Sequence, residues 1–176
     1  MIVNDSLFRF LNNFVHTSAF LDQKIVFLAI YLPWVLVAVL LVWLWYRHRD
    51  RLALERALFI AASALLSWLG SMAIKAFYEH PRPFAALADV KLLVPHAVDN
   101  SFPSSHAALF FAIGFALSVY NRRWGTIYLL GAVLISAARV AAGLHWPIDI
   151  LGGFILAGLV VLFVRFGAKI KNYQTT

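Results

Sequence analysis

The sequence predicts an all-α fold, a polytopic membrane helix bundle of five transmembrane helices plus an N-terminal interfacial helix. Three observations predict it. Of 176 residues, 62% are apolar and 13% are charged, against about a quarter charged in an ordinary soluble domain. The apolar residues gather into long uncharged runs rather than spreading evenly. The basic residues concentrate between alternate runs.

The N-terminal segment, 1–23, carries Asn4, Asp5, Arg9, Asn12, Asn13, His16 and Asp22. It therefore lacks the clean apolar stretch of a cleavable signal peptide. Leu7, Phe8, Phe10, Leu11, Phe14 and Val15 recur in it at helical spacing. This predicts an amphipathic helix lying on the outer surface, with a sixth, tilted or re-entrant span as the alternative.

A bilayer crossing needs roughly 20 mostly apolar residues. Residues 25–46 form the first such run, and residues 57–74, bounded by Arg56 and Lys75, form the second. Runs 107–120, 124–138 and 150–164 are too short alone. Each must extend past a polar residue: the third back through His106 toward Ser101, the fourth on through Arg139 toward Gly143, the fifth back to Pro147. All three extensions fall on one side.

The opposite side holds Arg47, Arg49, Arg51, Arg56, Arg122, Arg123, Arg165, Lys169 and Lys171, nine of the fifteen Lys and Arg residues. The positive-inside rule makes that side cytoplasmic. The N-terminal segment, the 77–100 region and the turn near His145 then face the periplasm or exterior. The same placement accounts for the net charge of +7 without a nucleic-acid partner. Residues 1–176 read as one domain, with 24–168 as the transmembrane bundle. Cysteine is absent, which removes thiolate catalysis and cysteine-ligated metals.

Three clusters stand out, since charge beside apolar helix ends is costly. The first runs from Lys75 to Pro83 and sets Arg82 in a turn flanked by Pro81 and Pro83. Alone it also reads as snorkelling cations at a membrane edge. The second, from Ser101 to His106, places Pro103, Ser104 and Ser105 at a helix start. There, free backbone N–H groups can hold an anion and His106 can protonate a leaving oxygen. Its plain alternative is a capped helix with an incidental histidine. The third holds Arg139, His145 and Asp149. The four-residue spacing lets the carboxylate hold one imidazole nitrogen while the other attacks. A structural His–Asp pair capping the helix is the plain alternative.

Together the clusters supply three cations, two imidazoles, a carboxylate and a helix N-terminus on one membrane face. Three cations suit a phosphoryl group, whose charge spreads over several oxygens. Two imidazoles divide attack from protonation. With no carboxylate cluster to hold Mg²⁺, the pattern favours a metal-free mechanism.

The order Lys-x6-Arg-Pro, Pro-Ser-x-His, Arg-x5-His-x3-Asp, from Lys75 to Asp149, resembles the type 2 phosphatidic acid phosphatase superfamily. The resemblance implies that Lys75, Arg82 and Arg139 bind phosphate with Ser104, and with Ser105 beside it. It implies a phosphohistidine on His145, oriented by Asp149, with His106 as general acid, and neither metal nor cofactor. Two departures stand out: Ala138 precedes Arg139 where the family usually has Ser, and Ser105 fills the variable place of the second motif. The text around Arg82–Phe84, His96-x2-Asp99 and Leu144–Asp149 looks most like the undecaprenyl pyrophosphate phosphatases of the bacitracin-resistance type. That resemblance implies a C55 lipid diphosphate substrate, a role in peptidoglycan synthesis and a bacterial cytoplasmic (inner) membrane location. His96 and Asp99 are accessory candidates, shaping the pocket or ordering the outer loop. The alternatives are a phosphatase of phosphatidylglycerol phosphate, phosphatidate or the 1-phosphate of lipid A, and a non-catalytic anion-binding membrane protein.

Overall fold

A computed structural model describes residues 2–47 and 52–167. Helix α1 spans Ile2–Asn12, and a continuous α2 spans Ala19–Tyr46 with a π-helical turn at Phe27–Tyr31. Then follow α3 (Ala53–Phe77), α4 (Ser105–Tyr120), α5 (Arg122–Ala141) and α6 (Pro147–Gly167), with a one-turn helix at Pro83–Ala86. Four of these, α2, α3, α5 and α6, are long and apolar enough to cross a membrane. Helix α4 is apolar but has only 16 residues. Apolar side chains point outward from the long helices: Trp34 and Phe163 are more than 70% exposed, as a lipid-facing surface requires.

Helix α4 is the hub, packing on α3, α5 and α6. Its sequence explains the position. Ala107, Ala108, Ala112 and Ala116 are buried, and small side chains let neighbouring backbones approach. On α3 the facing stripe is Ser63, Ser67 and Ser71, also buried. On α6 it is Gly153, where an added Cβ would stand 2.7 Å from the Ser104 carbonyl. That approach sets the start of α4 against the start of α6, where Ser104 N donates to the Asp149 carbonyl at 3.0 Å.

Three expectations need correction. Segment 1–23 is not one unit. Helix α1 ends at Asn12 and the chain turns at His16, whose φ is +62°. Helix α2 then starts at Ala19, so Asp22 and Lys24 lie in its first turns and the bundle begins before residue 24. Asp22 accepts the His16 N–H at 3.0 Å, stabilising that turn. At 11 residues, α1 rises about 16 Å, too short for a span. It docks on α5 and α6, and Asn12 donates to the Ala141 carbonyl at 2.7 Å. Finally, the third run does not extend back to Ser101. Helix α4 starts at Ser105 because Ser104 is the cap, and Phe102, preceding Pro103, is biased away from helix. Arg49, Arg51, Lys169 and Lys171 lie outside the described residues.

Candidate active site

Helices α3 to α6 deliver their ends to one rim of the bundle. Lys75 comes from the last turn of α3, Ser104 to His106 from the start of α4, Arg139 from the last turn of α5 and Asp149 from the first turn of α6. His145 sits in the turn between α5 and α6. Gly143, at φ +84°, makes that turn, and an added Cβ there would meet Val90 at 2.9 Å.

At the centre, His145 is 1% exposed and Asp149 is 0% exposed. His145 Nδ1 lies 3.2 Å from Asp149 Oδ2, which also accepts the Trp146 N–H at 2.8 Å. His145 Nε2 lies 3.3 Å from Arg82 Nη1. A guanidinium only donates, so Nε2 is the acceptor and Nδ1 carries the proton to Asp149. Burial, reinforced by Arg139, Arg82, Lys75 and His106, pushes the His145 imidazole well below the ordinary histidine range. It is therefore neutral, with its Nε2 lone pair turned toward cations.

Arg82 is itself 2% exposed. It donates to the Leu144 carbonyl at 2.8 Å and to the Asp99 carboxylate at 2.5 and 3.3 Å. Burial works to raise the Asp99 carboxyl, but the Arg82 hydrogen bond and the charges of Arg82, His96 and Lys75 hold it below its usual value. His96 bonds its neighbour's carbonyl, Ala97 O, at 3.0 Å, and reaches Asp99 only at 3.7 Å. The accessory pair thus differs: Asp99 grips the buried Arg82, while His96 hydrogen-bonds within its own loop.

Lys75 feels the charges of Arg82, Asp99, Arg139 and Asp149, and His106 those of Arg139, Lys75, His96 and Arg82. Arg139 is buried, and its Nε has no hydrogen-bond partner among the described residues. Beside it opens a cavity of about 280 Å³, with Ser105, His106 and Arg139 at its polar end and Trp34, Trp68 and Phe110 along its apolar wall. Ser104 caps α4, its Oγ accepting the Ala107 N–H at 3.4 Å. Ser105 Oγ accepts from Ser71 Oγ at 2.9 Å, so the two serines serve different neighbours. Ala138 is buried among Val15, Ile25 and Ala29.

The sequence reading passed over several residues at this rim. Asn100 bridges two strands of chain, donating to the Lys75 carbonyl at 2.9 Å and accepting the His80 N–H at 3.2 Å. Ser101 Oγ lies 2.8 Å from His80 Nδ1. Asn4 of α1 accepts the Ile148 N–H at 3.0 Å, capping α6 from a distant part of the chain. His80 had a local signal, an imidazole inside the first cluster; the asparagines had none.

An all-helical membrane bundle with buried cations and an imidazole–carboxylate pair at one rim defines a membrane phosphatase. The chain belongs to the PAP2 superfamily, whose family model matches residues 52–170, and it is a phosphoric ester hydrolase. A bacitracin transport permease protein BcrC of Bacillus licheniformis is 34% identical over 169 residues, 94% of this chain and 81% of that protein. The undecaprenyl-diphosphatase BcrC of Bacillus subtilis (strain 168) is 30% identical over 173 residues, 97% of this chain and 88% of that protein. The crystal structure of Aquifex aeolicus LpxE superposes with a TM-score of 0.75 at 28% identity, covering 92% of this chain and 94% of that one.

Proposed function

We propose that this chain is an undecaprenyl-diphosphate phosphatase, removing the terminal phosphate of a polyprenyl lipid diphosphate without a metal. The observation that carries the mechanism is His145, with Nδ1 on Asp149 and Nε2 turned toward Arg82. Lys75, Arg82 and Arg139 hold the terminal phosphate, with the hydroxyls of Ser104 and Ser105 at the start of α4. The unpartnered Arg139 Nε is a donor suited to one of its oxygens.

His145 Nε2 attacks phosphorus, and the bond to the bridging oxygen breaks. His106 gives its proton to that oxygen, which leaves on the lipid monophosphate. Asp149 stabilises the positive imidazole ring. Water then attacks the phosphohistidine, His106 takes a proton from it, and inorganic phosphate departs. The cations supply the electrostatic stabilisation, the larger part of catalysis at such sites.

The remaining assignments follow the same reading. Residues 1–176 form one domain with five spans, α4 being the shortest. The rim bearing Arg47, Arg122, Arg123 and Arg165 faces the cytoplasm. The site faces the outer side of a bacterial cytoplasmic membrane, and His96 orders the outer loop. Substrate choice is carried over from the name of the Bacillus subtilis relative.

The test is phosphate release by the purified protein from C55 diphosphate, phosphatidylglycerol phosphate, phosphatidate and lipid A side by side. C55 diphosphate should be fastest. A faster rival would reassign the substrate, and release from none by folded protein would overturn the reading. Orthovanadate should inhibit and EDTA should not; loss with EDTA would contradict the metal-free mechanism.

A further inference from the structure

Asp149 meets a second imidazole that the proposed reaction leaves unused. His80 lies in the extended stretch after α3, and its backbone is pinned on both sides. Its N–H donates to Asn100 Oδ1 at 3.2 Å, and its carbonyl accepts from Ser101 N at 2.8 Å and Ser101 Oγ at 3.0 Å. The ring stacks on Tyr78, 13° from parallel with centroids 6.0 Å apart, and leans on Phe102. Little freedom is left to it.

The clamp fixes the tautomer. Ser101 has one hydroxyl hydrogen, and two acceptors, the His80 carbonyl at 3.0 Å and the Asp149 carboxylate, draw it away from the ring. Toward the ring, Ser101 Oγ can therefore only accept, so His80 Nδ1 carries a proton. That N–H lies 2.8 Å from Ser101 Oγ and 3.5 Å from Asp149 Oδ1. Asp149 Oδ1 is buried and makes no hydrogen bond among the described residues. A buried carboxylate oxygen without a donor is costly, and the His80 N–H at 3.5 Å, with the Ser101 hydroxyl beside it, is within reach of it. His80 also lines a cavity of about 610 Å³, shared with Asp5 and Arg9 of α1 and with Trp146.

We infer that His80 is a positioning residue: it holds the second oxygen of Asp149 and so sets how strongly Asp149 pulls on His145. The inference rests on the roles proposed for His145 and Asp149. One oxygen of the carboxylate serves the attacking imidazole, and the other is steadied by an imidazole that never touches substrate. The charged and titratable groups around His80 are Asp149 from α6, Asp5 and Arg9 from α1, and Glu79 and Tyr78 in its own stretch; Arg82 reaches the same carboxylate by charge.

Loss of the His80 donor has one sign by two routes. A carboxylate with fewer donors keeps its proton to higher pH. While ionised, it also pulls harder on the His145 N–H and stabilises the protonated ring. Both move the acid limb of the kcat profile to higher pH.

The experiment is kcat and KM against pH for wild type, His80→Ala, His80→Asn and His80→Gln on the best lipid substrate. His80→Ala should lower kcat about tenfold, as for one hydrogen bond to a charged group. KM should change little, and the acid limb should rise by about half a pH unit. The Asn amide nitrogen stands where Nδ1 stood, so His80→Asn should restore kcat to within about threefold and return the limb. The Gln amide stands where Nε2 stood and should behave like Ala. Should His80→Ala fail to fold, the Asn and Gln variants carry the comparison. Wild-type kinetics in His80→Ala, a loss with an unmoved acid limb, or equal behaviour of Asn and Gln would overturn the inference. Absence of phosphate release by wild type would instead overturn the proposed function.

Discussion

At one rim of the bundle, Arg47 lies 5.9 Å from the Trp43 ring, Arg56, buried, lies 5.5 Å from the Tyr120 ring, and Arg122 and Arg123 are exposed. At the other, Arg82 is sealed from solvent with four of its five N–H donors on Asp99, Leu144 and His145. Both rims collect arginines at helix ends, so composition alone does not separate them. What separates them is the environment. Guanidinium groups on aromatic faces anchor a helix end to an interface. A desolvated guanidinium held by fixed acceptors keeps its charge in a set place. Under the proposed function, one rim anchors and the other carries the chemistry, and variants at both rims test it.

The largest effect is expected at His145. His145→Ala should reduce phosphate release by roughly 10⁴-fold or more while the helical fold persists, since it removes the proposed nucleophile. Retained turnover would refute the assignment. The same residue sets a stability signature. Its folded-state affinity for protons is depressed by burial and the surrounding cations, so the unfolded chain takes up a proton first as pH falls. Stability from this group is therefore present above the ordinary histidine value, about 6.5, and is lost as pH drops below it. The thermal midpoint of wild type should fall across that window. His145→Asn should fall less steeply, and equal slopes would contradict a buried neutral His145.

Arg82 against Arg122 and Arg123 breaks or sharpens the contrast most directly. Arg82→Lys keeps the charge but cannot reach Asp99, Leu144 and His145 together, and should lower kcat/KM about a hundredfold. Arg122→Gln with Arg123→Gln should change kcat/KM less than about twofold in detergent. Similar losses from both variants would mean that the rims are not functionally distinct.

Much of this site is legible in the sequence for a local reason. The Arg139, His145 and Asp149 spacing needs only one helix end and the next helix start, and Ser104 announces itself as a cap after Pro103. Arg82, boxed by prolines, is fixed by its own turn. The unread part is non-local. Ser105 is taken by Ser71, Arg82 is gripped by Asp99, and α6 is capped by Asn4. The amphipathic pattern of residues 7–15 revealed a helix, but not that it stops at Asn12 and docks through that side chain on Ala141. Nor did 25–46 reveal that its helix starts at Ala19, since Asp22 is stabilised there by the turn at His16 rather than by its own run.

The smallest predicted effect tests how the rim is held rather than what it does. Helix α6 carries Gly153 near the site and Gly158 further along. An added Cβ at Gly153 would stand 2.7 Å from the Ser104 carbonyl, 2.8 Å from Ala107 Cβ and 2.9 Å from Ala108 N. Backbone cannot yield there without moving the start of α4. At Gly158 the nearest atom is Phe115 Cε2 at 3.9 Å, ordinary contact. Gly153→Ala should therefore push the starts of α4 and α6 apart, disturb the Ser104 to Asp149 hydrogen bond and lower kcat about tenfold through misplacement alone. Gly158→Ala should leave kcat within about twofold and gain slightly in helix propensity. Phosphate release and thermal midpoints on both proteins decide it. Equal kcat for the two variants would show that the close approach at Gly153 packs the helices without setting the geometry of Asp149.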